Sequence, residues 1–452
     1  MVDLVVKNGQ VFTSKAAFHG GVAVEGGCIV SVGLDDSLPK GHRELDVEGK
    51  CIFPGVIDAH VHFREPGMEY KEDFSSGSLA AAFGGVTTVV DMPNTNPVTS
   101  HADVVELRRQ LIGTKSYVDV GQLGVIVPDN QAQMCPMADA GVIGFKIYMG
   151  ESVGSVTPPN DGQMMDALYE AAALGLRVAF HAESQQILQH YTAKLQATGR
   201  QDPIAFMESR PPVAESEAIR RAALFASYTG ARIHILHLSS RDGALAIQEW
   251  RERGVDITVE TCPQYMFLDG ERDAARLGMR LRANPPVRSA VHADFLFQAL
   301  LDGRIDMLTT DHAPHTREEK LNTDIWKAMS GVQGVETSLQ LMLSEAVHQR
   351  GMSLQRLVEI TSEQPAKVWG LWPRKGSLAP GADADLTIVD LDVPWQIDES
   401  TLHSKNKISP WHGWQGRGKA TTTIVRGRVI VEDGQLVSDR PDGQMAMPYR
   451  AA

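Results

Sequence analysis

The central part of the chain alternates short apolar runs with Ala-rich stretches that have helical spacing. The stretches MMDALYEAAALG and ESEAIRRAALFASYTG are examples, and several of them end in Gly, which favours helix termination. Eight repeats of a strand and a helix between residues 56 and 314 predict a (β/α)8 TIM barrel. An open doubly wound sheet is the alternative, but no Gly-rich phosphate loop follows an early strand. The eight apolar runs lie at 56–63, 86–93, 118–126, 142–149, 177–184, 232–239, 256–263 and 306–314.

Both ends of the chain have a different pattern from the middle. Residues 2–50 and 376–435 hold short alternating runs broken by Gly, Asn and Lys, which are typical of antiparallel strands. Each segment alone would leave an apolar face uncovered, so we expect one small β-sandwich domain built from both termini. The predicted fold class is therefore α/β. The predicted domains are a discontinuous β-sandwich (1–54 and 376–440), the barrel (55–375) and a C-terminal tail (441–452).

Composition narrows the classes of partner. Acidic residues number 56 against 43 Lys plus Arg, a net charge of −13, which argues against a nucleic-acid partner. No apolar run is long enough for a membrane span, and the first residues read as a strand rather than a signal peptide. The four cysteines have no paired spacing, so we expect buried free thiols in a reducing cytoplasm.

Polar residues follow the predicted barrel strands at their carboxyl ends, where the side chains of a barrel converge. In DAHVH, His60 and His62 are two apart, so both imidazoles can face one metal ion. The polar residues at these strand ends together predict a metal site. Four histidines and a carboxylate oxygen favour zinc over manganese, iron or cobalt. The candidate ligands are His60, His62, Lys146, His181, His237 and Asp311.

Lys146 needs a chemical explanation at such a site. An ammonium ion would be repelled by divalent cations, and a neutral amine does not readily bridge two of them. Carbamylation by CO₂ would convert the side chain into a carboxylate-like bridge with two oxygens. We therefore hypothesise a carboxylated Lys146.

Eight motifs spread over almost the whole chain carry a family resemblance: DAHVHFREPG, DMPNTNP, GFKIYMGES, HAES, HLSS, NPPVR, DHAPH and GSLAPGADADL. Together they resemble the amidohydrolase superfamily, within it the cyclic amidohydrolases, and most of all dihydroorotase. The resemblance implies that His60, His62 and Asp311 hold one metal, that His181 and His237 hold a second, and that carboxylated Lys146 bridges them. It also implies that Asp311 is the catalytic acid–base group.

The same resemblance implies the substrate contacts. Arg64, Asn94 and His315 match positions that grip a substrate carboxylate, and Asn284 matches a contact to a pyrimidine ring. Structural roles remain open at this stage. The alternatives are an ion pair of Arg64 with Glu65 or Glu69, a turn or cap at Asn94, a pair of His315 with Glu318 or Glu319, and a rigid turn at the NPP sequence.

The expected function is a two-metal hydrolase that opens the ring of dihydroorotate, reversibly with N-carbamoyl-aspartate. Gln264, in ETCPQYMFL, resembles dihydropyrimidinases instead, so an allantoinase or hydantoinase is the alternative. A metal-free scaffold is a second alternative. The resemblance further implies a homo-oligomer, either a dimer or a tetramer. Segment 315–337 is expected to form a substrate lid or a plain surface connection.

Overall fold

The computed structural model describes residues 1–150 and 156–449. Five strands form at the N-terminus, and the first of them pairs with three of the others. β1 pairs antiparallel with β2 and parallel with both β4 and β5, while β2 pairs antiparallel with β3. The strands are β1 (Val2–Phe12), β2 (Ala17–Glu25), β3 (Cys28–Gly33), β4 (Gly41–Asp46) and β5 (Cys51–Pro54).

The next eight strands are parallel and follow one another in order around a barrel. The barrel closes where Val61 pairs with His312, just beyond the last strand. All eight predicted runs contain a strand, and each strand is shorter than its run. The strands are β6 (Val56–Val61), β7 (Val86–Asp91), β8 (Asp119–Val125), β9 (Gly144–Tyr148), β10 (Arg177–His181), β11 (Ile233–Ile235), β12 (Ile257–Thr261) and β13 (Met307–Leu308).

The C-terminal strands complete the N-terminal sheet. β14 pairs antiparallel with β5, so the two ends of the chain share one nine-stranded, mainly antiparallel sheet. This sheet has its own core, in which Leu4 and Val22 from one end pack with Leu386 and Ile424 from the other. The predicted α/β fold, a barrel with a small β-domain made from both termini, is confirmed. The added strands are β14 (Leu386–Gln396), β15 (Gln415–Val425), β16 (Arg428–Glu432) and β17 (Gln435–Leu436).

Helices cover the outside of the barrel, and their ends follow capping chemistry. α4 begins with a capping box between Asn160 and Gln163 and ends at Gly175, whose φ of 67° is accessible to glycine. The helices are α1 (Phe74–Phe83), α2 (Ala102–Lys115), α3 (Met134–Asp139), α4 (Asp161–Leu174), α5 (Gln185–Gln196), α6 (Pro203–Glu208), α7 (Pro212–Thr229), α8 (Arg241–Glu252), α9 (Pro263–Phe267), α10 (Ala274–Leu277), α11 (Ala290–Leu301), α12 (Arg317–Lys320), α13 (Ser338–Leu341), α14 (Leu354–Val358) and α15 (Gln364–Val368).

Shorter helical turns join these elements. π-helical turns Met342–Gln349 and Glu359–Glu363 continue α13 and α14, and 3₁₀ turns lie at Asp35–Ser37, Gln131–Gln133, Gly278–Leu281 and Glu399–Thr401. Among the described residues, no helix is long and apolar enough to cross a membrane.

The four cysteines are free thiols, as predicted, but their burial differs. Cys51 and Cys262 are buried, whereas Cys28 is half-buried and Cys135 is exposed. The prediction of burial was therefore wrong for two of them. Cys135 lies on the exposed face of the short helix α3, four residues before Asp139. The composition of the chain does not indicate which cysteines are exposed.

Candidate active site

The candidate ligands meet at the carboxyl ends of the barrel strands. His60 lies within β6, Lys146 within β9, and His181 is the last residue of β10. His237 and Asp311 follow β11 and β13, and both have positive φ values, 38° and 49°, that non-glycine residues rarely adopt. Both side chains line a shared cavity. It is lined by His62, Arg64, Asn94, Lys146, Tyr148, His181, His237, Asn284, Asp311, Ala313 and Ser330.

One group of donors forms around Asp311. Its Oδ1 lies 3.2 Å from His60 Nε2 and 3.1 Å from His62 Nε2. One ligand atom from each residue lies within 4.8 Å of the others, which is the spacing needed to share a metal ion. His60 Nε2 is buried and has no hydrogen-bond partner among the described residues. A buried nitrogen of this kind fits a metal ligand, because burial without a partner is otherwise unfavourable.

A second group of donors, His181 and His237, also lines the cavity. His181 Nδ1 and His237 Nε2 approach each other to 3.0 Å. The ring centroid of His237 is also 5.2 Å from that of His60, so the two groups adjoin each other. Two imidazole nitrogens this close together fit the ligands of a second divalent ion.

The electrostatics of the site favour the protonation states that metal ligands require. Burial lowers the pKa of His62 to about 3 and lowers that of His181 as well, so these rings are neutral near pH 7. Burial by itself would raise the pKa of Asp311, but the adjacent His60 and His62 outweigh it and keep the carboxylate ionised. Neutral imidazoles and an ionised carboxylate are the forms that bind metal ions.

Lys146 is fully buried among these donors. Its Nζ lies 3.6 Å from Met92 Sδ and 4.5 Å from the centroid of the Tyr148 ring. Burial lowers the pKa of Lys146 to about 8, which makes the neutral, nucleophilic amine accessible near physiological pH.

Arg64 is 2% exposed and lines the cavity, with a positive φ of 64°. Its Nε donates to the Pro314 carbonyl at 3.4 Å, and its Nη1 has no hydrogen-bond partner among the described residues. Neither Glu65 nor Glu69 pairs with it, since Glu65 bonds Lys115 and the Phe74 amide. The structural role considered for Arg64 is therefore wrong.

His315 is held by other protein groups and does not line the cavity. Lys71 Nζ donates to its Nδ1 at 3.1 Å, and its Nε2 donates to the Ser330 carbonyl at 3.0 Å. Glu319 Oε2 is 3.7 Å away, as the structural alternative expected. His315 thus has no direct contact with the cavity, but it contacts Arg64 and Ser330, which line it. Segment 315–337, which contains α12, contributes Ser330 to the cavity wall and is more than a surface connection.

The two asparagines line the cavity but are each bonded to the protein. His62 Nδ1 donates to Asn94 Oδ1 at 2.7 Å, so this amide orients a candidate ligand. Asn284 Oδ1 accepts a hydrogen bond from Ser330 Oγ at 3.0 Å. Gln264, the departure from the dihydroorotase pattern, is buried and donates to the Thr310 carbonyl at 3.0 Å, immediately before Asp311.

Sequence reasoning missed two buried carboxylates behind the donors. Glu260 Oε1 is 2.5 Å from His60 Nδ1, and Glu183 Oε2 is 2.9 Å from His181 Nε2. A charged residue inside the apolar run DITVETCP was the available signal for Glu260. Glu183 is in the HAES motif, where its position two residues after His181 indicated the same side of the strand.

Comparisons with known proteins agree with this geometry. Residues 51–430 match the model of the Amidohydrolase family. The chain is 37% identical to the L-hydantoinase of Paenarthrobacter aurescens over 448 residues, covering 98% of each chain. It is 38% identical to the allantoinase of Rubrobacter xylanophilus, covering 99% of this chain and 98% of that one.

A solved structure of L-hydantoinase (dihydropyrimidinase) from Arthrobacter aurescens superposes with a TM-score of 0.96 at 36% identity, covering 99% of this chain and 100% of that one. Hydantoinase and allantoinase were the alternatives to dihydroorotase, and these relatives favour them at the level of substrate. The coarser prediction, an enzyme that hydrolyses cyclic amides, is confirmed. The chain belongs to the amidohydrolase family.

Proposed function

We propose that this enzyme opens the hydantoin ring, a five-membered cyclic ureide, of hydantoins or of the ureido-substituted hydantoin allantoin. The observation that carries the proposal is the convergence of both donor groups on a cavity that also presents guanidinium and amide groups. Such a cavity fits a small polar ring with several carbonyl and N–H groups. Whole-chain relatives named L-hydantoinase and allantoinase support the same ring.

The family and the donor set support the use of divalent metal ions. In the proposal, His60, His62 and Asp311 hold one ion, His181 and His237 hold the other, and zinc is the expected metal. Bound there, the ions would lower the pKa of water and polarise the scissile carbonyl.

Lys146 is proposed to bridge the two donor groups after carboxylation. Its neutral amine would attack CO₂, forming an N–C bond and releasing one proton to water. The lowered pKa of about 8 supports this step, because the amine form is needed for attack. A mass increase equal to one CO₂ on Lys146 in native protein, lost on acidification, is the expected result.

The protein's own groups complete the reaction. Asp311 is ionised beside the cavity and accepts a proton from the attacking water as its oxygen bonds the ring carbonyl carbon. When the ring C–N bond breaks, the same carboxyl returns the proton to the leaving nitrogen. Asn94 keeps His62 oriented through the 2.7 Å hydrogen bond. Arg64 Nη1 is left to bond an oxygen of the ring substituent.

A substrate panel tests the proposal. Protein reconstituted with zinc or manganese would be given hydantoin, both enantiomers of 5-substituted hydantoins, allantoin, dihydrouracil and dihydroorotate. We expect the highest kcat/KM with a hydantoin or with allantoin, measured by the ring-opened product. Turnover of dihydrouracil or dihydroorotate alone would contradict the proposal.

One observation favours a second candidate, dihydroorotate. The buried Arg64 has an unsatisfied Nη1, and a guanidinium is well suited to bind the carboxylate of this ring. The panel above includes this substrate, so it ranks the two candidates directly.

A further inference from the structure

Two of the candidate ligands, His60 and His181, use different ring nitrogens to contact a buried carboxylate. His60 has Nδ1 against Glu260 at 2.5 Å, whereas His181 has Nε2 against Glu183 at 2.9 Å. A carboxylate accepts hydrogen bonds, so an imidazole nitrogen that is hydrogen-bonded to one must carry the proton. In His60 this nitrogen is Nδ1, because Nε2 lies 3.2 Å from Asp311 Oδ1 without forming a hydrogen bond. His60 therefore has its lone pair on Nε2, beside Asp311, and His181 has its lone pair on Nδ1, beside His237.

We propose that Glu260 and Glu183 are positioning residues, each serving one metal ion. Glu260 fixes the nitrogen that His60 offers to the first ion, and Glu183 fixes the nitrogen that His181 offers to the second. This inference rests on the ligand set proposed above. Neither glutamate is a ligand in this arrangement, because each is committed to protein donors.

Glu260 is locked in place by three donors. Besides His60, its oxygens accept hydrogen bonds from His234 Nε2 and from the backbone N–H of His237, each at 3.1 Å. His234 is in turn held by Thr258 Oγ1, 2.8 Å from its Nδ1. Because Glu260 also binds the backbone of His237, it fixes the strained turn that carries a ligand of the second group.

Glu183 is locked by a guanidinium. Arg210 Nε lies 3.1 Å from Oε1, and Arg210 Nη2 lies 2.5 Å from Oε2. The backbone carbonyl of Arg210 accepts from Arg288 Nη1 at 2.8 Å, and Arg288 Nε donates to Ser239 Oγ at 3.0 Å. These contacts hold the carboxylate against His181 and away from the cavity.

Isosteric variants separate the two roles. Glu260→Gln and Glu183→Gln keep the side-chain volume but place an NH₂ group against neighbours that already donate. A matched control is Glu336→Gln, which disturbs a similar pair, His403 Nδ1 to Glu336 Oε1 at 2.8 Å, at a position that does not line the cavity. The readout is the affinity of metal-free protein for Zn²⁺, titrated in competition with a chromophoric chelator.

We expect Glu260→Gln to weaken mainly the first metal equivalent and Glu183→Gln mainly the second, each by ~10–100-fold, which is the usual effect of losing such a partner. The side-chain oxygen kept in Glu260→Gln can still accept from the His237 N–H, so the second equivalent should change less than the first. His60→Asn should weaken the same equivalent as Glu260→Gln, and His181→Asn the same one as Glu183→Gln, without additivity in the double variants. The control should retain both affinities. Parental affinity at both sites, or equal weakening of both in each single variant, would overturn the proposal.

A second measurement needs no variant. Long-range ¹H–¹⁵N NMR spectra of ¹⁵N-histidine-labelled parent protein report which ring nitrogen carries the proton. We expect protonated Nδ1 for His60 and protonated Nε2 for His181, and the opposite tautomers would overturn the assignment. Neither the metal titration nor the NMR measurement uses a substrate. Both therefore test this inference even if the enzyme turns over none of the hydantoins in the panel. A parent protein that binds no divalent metal would instead overturn the ligand set.

Discussion

Two buried clusters of charged side chains lie at opposite ends of the barrel strands, and they differ in how completely they are paired. At the carboxyl end, His60 Nε2 and Arg64 Nη1 have no hydrogen-bond partner among the described residues. At the other end, Lys375 Nζ lies 2.5 Å from Asp119, 3.0 Å from Asp383 and 2.7 Å from Asp385. In the first cluster some buried polar atoms have no partner within the protein, whereas in the second the central ammonium is paired with three carboxylates. We call them the incomplete and the complete cluster.

The complete cluster joins the two sheets. Asp119 begins β8 of the barrel, while Asp383 and Asp385 precede β14 of the terminal sheet. Arg426 pairs with Asp119 and Arg374 with Asp383, so three acidic groups face three basic ones. The three aspartates also have the spacing of a metal site, but the Lys375 ammonium lies where an ion would. Closely spaced carboxylates alone therefore do not identify a metal site. A basic side chain that already lies among them neutralises their charge instead.

Replacing Asp311 by Asn should have the largest effect on activity. We expect kcat to fall by ~10²–10⁴-fold, because an amide can neither accept nor return the proton in the proposed mechanism. The measurement is turnover of the best substrate from the panel, with circular dichroism to verify folding.

Asp302→Asn is a matched control, because Asp302 is a half-exposed residue that pairs with Arg304. It should retain parental turnover. An Asp311→Asn enzyme with near-parental kcat would show that the carboxylate is not the acid–base group.

Breaking the complete cluster should affect stability and leave the site intact. Lys375→Met leaves buried aspartates without their central cation, which typically costs about 3–5 kcal/mol. Urea denaturation would measure the apparent free energy of unfolding, and metal content per folded molecule should stay parental.

The control for this variant is an exposed pair. Lys7 lies 2.6 Å from Glu44 at the surface, and Lys7→Met should change the free energy of unfolding far less than Lys375→Met, because water screens an exposed ion pair. If Lys375→Met costs no more than Lys7→Met, the cluster does not stabilise the junction between the sheets.

Arg64→Met should have the smallest and most selective effect. A hydrogen bond to a charged group contributes about 1.5–3 kcal/mol, so binding of dihydroorotate, as substrate or inhibitor, should weaken on the order of 10–100-fold. Uncharged hydantoin should be affected less, and Arg64→Lys should restore part of the difference. Equal losses for both rings would indicate that Arg64 supports the cavity and does not recognise a carboxylate.

The barrel could be predicted because its signals are local. Each strand is a short apolar run and each helix has Ala-rich helical spacing, so strand positions such as 86–91 followed from the pattern. The candidate ligands could be predicted because parallel strands all present their carboxyl ends at one rim. His60 and His181 lie far apart in sequence, yet the fold class alone places them together.

The residues behind the ligands could not be predicted in the same way. Glu260 looks like an isolated charge in a strand, and its contacts with His60 and His234 depend on the rotation of three separate strands. The hydrogen bonds of His315 to the Ser330 carbonyl and of Asn94 to His62 were likewise not predictable, and the substrate contacts expected of both residues stay predictions. Which polar group meets which neighbour depends on distances of a few tenths of an ångström.

The sequence by itself determined the α/β barrel and the β-domain shared by both termini, and it pointed to candidate ligands at the carboxyl ends of the strands, because periodicity and strand ends encode these features directly. Only the tertiary structure decided which buried charges are satisfied. His62 could be recognised from its spacing to His60, but nothing near Lys375 in the sequence indicates that this lysine is buried against three aspartates. That pairing depends on how the barrel and the terminal sheet pack against each other.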